Sequence, residues 1–86
     1  MTNPDDPVER TTAMIRAWCV EHHVRTAADD AVCERDAARA LRYADGSALR
    51  RHLMEGKPMP RYRTLNGRRW YRIEDLAAFL EGGFRD

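Results

Sequence analysis

Cysteine is scarce in this chain, with only Cys19 and Cys33 among 86 residues. Two cysteines do not build the multi-bridge framework of a small secreted domain, so a reducing cytoplasm is the simplest setting. Long apolar runs are missing as well. Nothing approaches the roughly 20 residues that a membrane span needs, and the acidic start at Asp5-Asp6 is unlike a signal peptide. There is no internal repeat, no low-complexity stretch and no glycine-rich phosphate cradle. His22, His23 and His52 lack an evident acid partner joined to a nucleophile, and so short a chain leaves little room for a substrate pocket. An enzyme is therefore not expected, nor a cofactor, nor a small-molecule substrate.

Lysine is nearly absent: Lys57 is alone against fourteen arginines. Arginine favours planar, bidentate contact with phosphate and guanine, although a GC-rich genome enriches it too. Its distribution says more than its number. Residues 1–46 hold six arginines against nine acidic residues, a balance of −3, and residues 47–86 hold nine basic against five acidic, a balance of +4. The formal net charge of +1 hides one basic half and one acidic half, the pattern of a protein with one nucleic-acid face and one face turned elsewhere. Between Ser47 and Ile73 eight basic residues oppose the single acid Glu55. Such a run is often only a solvated face, so the order of elements around it has to carry the argument.

At the N-terminal end, Asp6-Pro7-Val8-Glu9 places Asp at an N-cap, Pro at the first helical position and Glu where a capping box needs it. A helix over about 7–23 follows, with Val8, Thr11, Ile15, Trp18, Cys19 and His22 on one face, and residues 1–6 are expected as a tail. Thr26-Ala27-Ala28-Asp29 repeats the capping pattern, so a second helix begins near Ala27 or, after a break at Val32-Cys33, at Glu34. In both cases 34–43 is helical. Asp45 then caps a helix over 46–55 whose buried side is Leu49 and Leu53 and whose stop is Gly56. Only two or three residues separate these helices, the spacing of a helix-turn-helix.

Pro58 and Pro60 forbid further helix. Arg61–Leu65 and Arg68–Ile73 flank Asn66-Gly67, the pair best suited to a two-residue type I′ turn. In that register Thr64 faces Arg69, Arg63 faces Trp70 and Tyr62 faces Tyr71. Tyr62, Tyr71 and Ile73 share the core side; Arg61, Arg63, Arg68, Trp70 and Arg72 share the other, where Trp70 is placed to stack with Arg63. Glu74-Asp75 open a last helix that buries Ile73, Leu76, Phe79 and Leu80 and ends at Gly82-Gly83, leaving 83–86 as a tail. The expected class is mainly α with a small β-hairpin. The basic helix and hairpin make it a winged helix-turn-helix over 26–82, with an additional N-terminal helix and its connection over 7–25.

The run Glu34–Leu80 resembles the excisionase-like, MerR-type winged helix-turn-helix proteins, through "DAARAL" at 36–41, "DGSALRRHLMEGKPMPRYR" at 45–63 and "NGRRWYRIEDLAAFL" at 66–80. The resemblance implies a recognition helix at about 46–55 in the major groove and the 61–73 hairpin as a wing. It makes Ser47, Arg50 and Arg51 base-reading candidates. Arg63, Arg68 and Arg69 become phosphate candidates, with Lys57, Arg61 and Asn66 alongside them on the wing and backbone side. The chain ends six residues after Leu80, without the dimerising and sensing helices of MerR-type regulators. The resemblance thus points to an excisionase, a recombination directionality factor that bends double-stranded DNA and assists an integrase, with another copy of itself as a further partner on DNA. A compact phage or plasmid transcription regulator, a phage packaging subunit and a protein-interaction adaptor are the rival readings. A nucleoid-associated, cytoplasmic location follows from any DNA role.

Each candidate has a plainer explanation. Arg50 and Arg51 also suit a solubilising face opposite Leu49. Val8, Ile15 and Trp18 suit core packing, or a docking face for a partner if the first helix packs loosely. Cys19, His22, His23 and Cys33 hint at zinc, but structural zinc sites show tighter paired spacing, and no metal is expected.

Overall fold

A computed structural model describes residues 6–42 and 46–82. Their elements run α1 (Pro7–Glu21), β1 (Ala31–Cys33), α2 (Glu34–Ala40), α3 (Gly46–Met54), β2 (Arg63–Leu65), β3 (Arg68–Arg72) and α4 (Ile73–Gly82). The class is α with β: four helices and one three-stranded antiparallel sheet of order β1-β3-β2. Residues 1–5 of the expected 1–6 tail, the expected 83–86 tail, Tyr43 and Ala44 between the second and third helices, and the Asp45 cap lie outside the described residues, whereas Asp6 is described and belongs to the first helix as its cap.

The first helix starts as its sequence dictates. The Asp6 side chain accepts from the Val8 N–H at 2.9 Å, and Pro7 occupies a first-turn position whose missing N–H costs nothing. Its end comes two residues earlier than expected. Val24 N–H donates to Cys19 O at 2.8 Å and His23 N–H to Val20 O at 3.3 Å, with His23 in the left-handed region at φ 55°. That bond pair is a Schellman cap, here built on His where Gly is usual. Ile15 and Cys19 are buried, Val8 and Trp18 pack against the core, and Thr11 Oγ1 donates to Glu81 Oε2 at 2.8 Å, so α1 lies fastened along α4. The loose packing that a docking face at Val8, Ile15 and Trp18 would require is not seen: Ile15 is buried, and Val8 and Trp18 are half-buried against the core. Met14 and Val20 are the exposed large apolar residues of α1, and His22 is exposed.

Residues 27–30 form a turn, which rejects a helix starting near Ala27. Asp30 N–H donates to Ala27 O and Ala27 N–H to Ala31 O, and Asp30 takes φ 64°. This directs Ala31–Cys33 into a strand along β3, with Ala31 opposite Arg72, Val32 opposite Tyr71 and Cys33 opposite Trp70. The expected two-stranded hairpin is thus corrected to a three-stranded sheet. Ala31 and Val32 are buried on that edge, and the new helix begins at Glu34, the other start that the sequence allowed.

The hairpin register is the expected one, Arg63 opposite Trp70 and Thr64 opposite Arg69, turning on Asn66 (φ 53°) and Gly67 (φ 76°). Tyr62 departs from expectation. It precedes β2, is 41% exposed, and lays its ring 5.8 Å from that of Tyr71 at the sheet margin. Leu49, Tyr71, Ile73 and Leu76 are fully buried, and Ala37, Ala38 and Ala77 let the helices approach closely. Leu53, expected inside, is 36% exposed near the end of α3. That helix closes with a second Schellman cap, Lys57 N–H to His52 O at 2.9 Å and Gly56 N–H to Leu53 O at 3.3 Å, with Gly56 at φ 71°. No helix among the described residues is long and apolar enough to cross a membrane.

Candidate nucleic-acid interface

Packing fixes which side of α3 faces out. Ala48 and Leu49 are buried against α2, leaving Ser47, Arg50 and Arg51 exposed on the opposite side. Arg50 lines a groove of about 400 Å³ whose other walls are Arg35 at the start of α2 and Gly67, Arg68 and Arg69 of the hairpin. Glu34 and Cys33 complete it. Four arginines therefore meet one carboxylate between a helix and a β-turn.

The carboxylate holds the groove together. Glu34 accepts two hydrogen bonds from Arg69, at Nε and, at 3.1 Å, from Nη2, and one from the Tyr71 hydroxyl at 3.0 Å. Only 15% of the Glu34 side chain and 24% of the Arg69 side chain are exposed. Burial alone would raise the Glu34 pKa; the hydrogen bonds from Arg69 and Tyr71, with the charges of Arg69 and Arg50, outweigh it and hold the group below the usual value. The same hydrogen bond raises the Arg69 pKa. Burial first, and then the Glu34 charge, push the Tyr71 phenol far up, so it stays a donor. Arg69, one of the expected phosphate contacts, thus already has its partner and serves as the link between β3 and α2.

The remaining expected residues divide into engaged and uncommitted. Arg63 pairs with Asp29 at 3.0 Å, Arg72 reaches Asp29 and Glu74 at 3.7 Å each, and Lys57 pairs with Glu55 at 3.1 Å. Arg63 therefore reaches for a carboxylate from the 27–30 turn rather than stacking on Trp70. Arg50, Arg51, Arg61 and Arg68 form no ion pair among the described residues. Asn66 sits exposed in the turn itself. Arg35 was not singled out from the sequence, since it lies outside the basic run; its place in the groove depends on α2 starting one residue earlier.

Cysteine and histidine do not gather into a metal site. Cys19 is in the core, where burial first and then the charges of Asp30 and Asp36 raise its pKa, and Cys33 donates to Asp36 Oδ2 at 3.2 Å. Among the described residues no three His, Cys, Asp or Glu groups are placed to hold an ion. No family model, no curated protein and no solved structure matches this chain.

Proposed function

We propose that the protein binds double-stranded DNA as a winged helix-turn-helix module, with α2 and α3 as the helix pair, α3 in the major groove and the β2–β3 hairpin as the wing. The observation that carries this is the groove between α3 and the hairpin, where Arg35, Arg50 and Arg68 converge with no ion-pair partner among the described residues. Such a cleft, basic on both walls and open to solvent, suits a phosphate backbone running between a helix and a turn. Ser47, Arg50 and Arg51 would meet base edges, and one bidentate arginine–guanine pair supplies roughly 1–3 kcal/mol of discrimination. Arg61 and Arg68 would position the backbone. The role is binding rather than catalysis, in the cytoplasm.

The finer reading, an excisionase that bends DNA beside an integrase or a second copy of itself, is supported by the sequence resemblance over 34–80. The test of the duplex reading is fluorescence anisotropy with random-sequence DNA across a salt series, repeated with an Arg50→Ala/Arg51→Ala/Arg68→Ala variant. Arg69 stays intact because its loss would disturb the fold. With four or five phosphates neutralised, log affinity should fall against log salt with a slope of about −4. No binding at about 50 mM salt, where the electrostatic contribution is large, would defeat the proposal. A bending assay on selected sites then separates an excisionase from a simple regulator.

A further inference from the structure

The outer face of the sheet carries an aromatic ring that neither the core nor the helix–hairpin groove uses. Side chains alternate along β3: Tyr71 turns into the core, whereas Trp70 turns the other way, with Arg68 and Arg72. Trp70 is not among the residues packed on the hydrophobic cluster. Among the described residues, the stacked guanidinium groups belong to other rings: Arg39 lies over Trp18 at 5.4 Å and Arg69 over Tyr62 at 6.0 Å. Trp70 instead stands between two grooves and lines both.

Charge on the two sides has the same sign. One groove includes Arg61 with the committed Arg63 and Arg72, and the other includes Arg25, Arg39 and Arg68. Carboxylates occupy part of this charge: Asp29 holds Arg63 and Arg72, Asp36 holds Arg39, and Glu74 and Asp75 border the first groove. Arg25, Arg61 and Arg68 remain without an ion pair among the described residues, at least one on each side of the indole.

We propose that this face binds single-stranded nucleic acid, one unpaired base stacking on Trp70 while the adjoining phosphates run to Arg61 on one side and to Arg25 and Arg68 on the other. A ring flanked by uncommitted cations is the combination that single-strand platforms use, since every base offers a π-face and every linkage a phosphate. A duplex keeps its bases stacked on one another and offers no such face without unpairing. An acidic peptide matches the cations but leaves the indole unused. The site goes beyond the duplex reading and shares Arg61 and Arg68 with it, whereas Trp70 and Arg25 belong to this face alone.

The chain has two tryptophans, so a Trp18→Phe variant makes Trp70 its sole indole reporter. At about 50 mM salt, a twelve-nucleotide oligothymidylate should quench its emission saturably, and polyglutamate should not. In the otherwise native protein, Trp70→Leu should weaken binding of labelled oligothymidylate about tenfold, given the usual strength of base–aromatic stacking, and change duplex affinity less than twofold. An Arg25→Ala/Arg61→Ala variant, with Trp70 kept, should weaken oligothymidylate binding as well, which provides a test even if Trp70→Leu misfolds. Absence of quenching, equal quenching by polyglutamate, or unchanged single-strand affinity in both variants overturns the inference. Loss of duplex binding alone counts against the duplex reading and leaves this one standing.

Discussion

Replacing Glu34 by Gln keeps its shape and removes its charge from the floor of the groove. The Tyr71 hydroxyl can still donate to the amide oxygen, but the Arg69 guanidinium, three-quarters buried, then faces a neutral group. Breaking a fully buried ion pair costs about 3–5 kcal/mol. The water still reaching Arg69 screens part of that, so about 2 kcal/mol is a reasonable expectation here. For a domain of this size each kcal/mol moves the melting temperature by roughly 4–8 °C, so thermal unfolding followed by circular dichroism at pH 7 should show a drop on the order of 10 °C. The pH dependence gives a second, independent check. The Glu34 pKa is lowered in the folded protein from its ordinary value of 4.5, so its stabilising contribution is present above about pH 4.5 and is lost as pH falls through the lower folded value. The gap between native protein and variant should therefore narrow below pH 4.5. Exchanging the stranded cation for an apolar group, in Glu34→Gln/Arg69→Met, should recover part of the loss because the two sites are coupled. A variant melting within about 3 °C of the native protein, against the 4–8 °C expected per kcal/mol, or a gap that stays constant down to pH 3, would refute the role assigned to this bridge.

Three further outcomes follow from the same geometry. Asp29→Asn releases Arg63 and Arg72 and should strengthen random-duplex binding several-fold at low salt, steepening the salt slope by about 1; unchanged anisotropy titrations would show that those arginines do not face the nucleic acid. Gly67→Ala meets no neighbour within 4 Å but must hold φ 76°, so a loss of about 1–2 kcal/mol in urea unfolding should come from backbone strain alone. His23→Gly removes the same strain at the end of α1 and should raise stability by about 0.5–1 kcal/mol; a lower denaturation midpoint would mean that the imidazole makes a contribution larger than the strain it imposes.

Much of the fold was legible because local chemistry signalled it. Asp6-Pro7 marked the start of α1, Asn66-Gly67 set the hairpin register, and Gly56 ended α3. Strand β1 was hidden for a physical reason. Three residues, Ala-Val-Cys, are too short to show alternation, and Thr26-Ala27-Ala28-Asp29 mimics a helix start; only pairing with residues 70–72 makes the segment a strand. The candidate site was legible in charge and not in partnership. Sequence marked Arg63 and Arg69 as cations but did not show that Asp29 and Glu34, 34 and 35 residues away, had claimed them. Arg35 was missed for the mirror-image reason: it sits in the acidic half and joins the basic groove only through the fold.

Cys33 closes β1 and the next residue opens α2; Arg72 closes β3 and the next opens α4. No loop residue stands at either junction to act as a hinge. A helix cannot rotate there without tearing the ladder it continues, and the Glu34–Arg69 bridge adds a strut across the gap. The spacing between α2 and the sheet is therefore fixed by the chain itself. On the duplex reading proposed above, a polyanion lying against α2 and the hairpin would meet a rigid gauge on that side, which would spare the protein part of the entropy of ordering itself on binding and leave the ligand to do the bending.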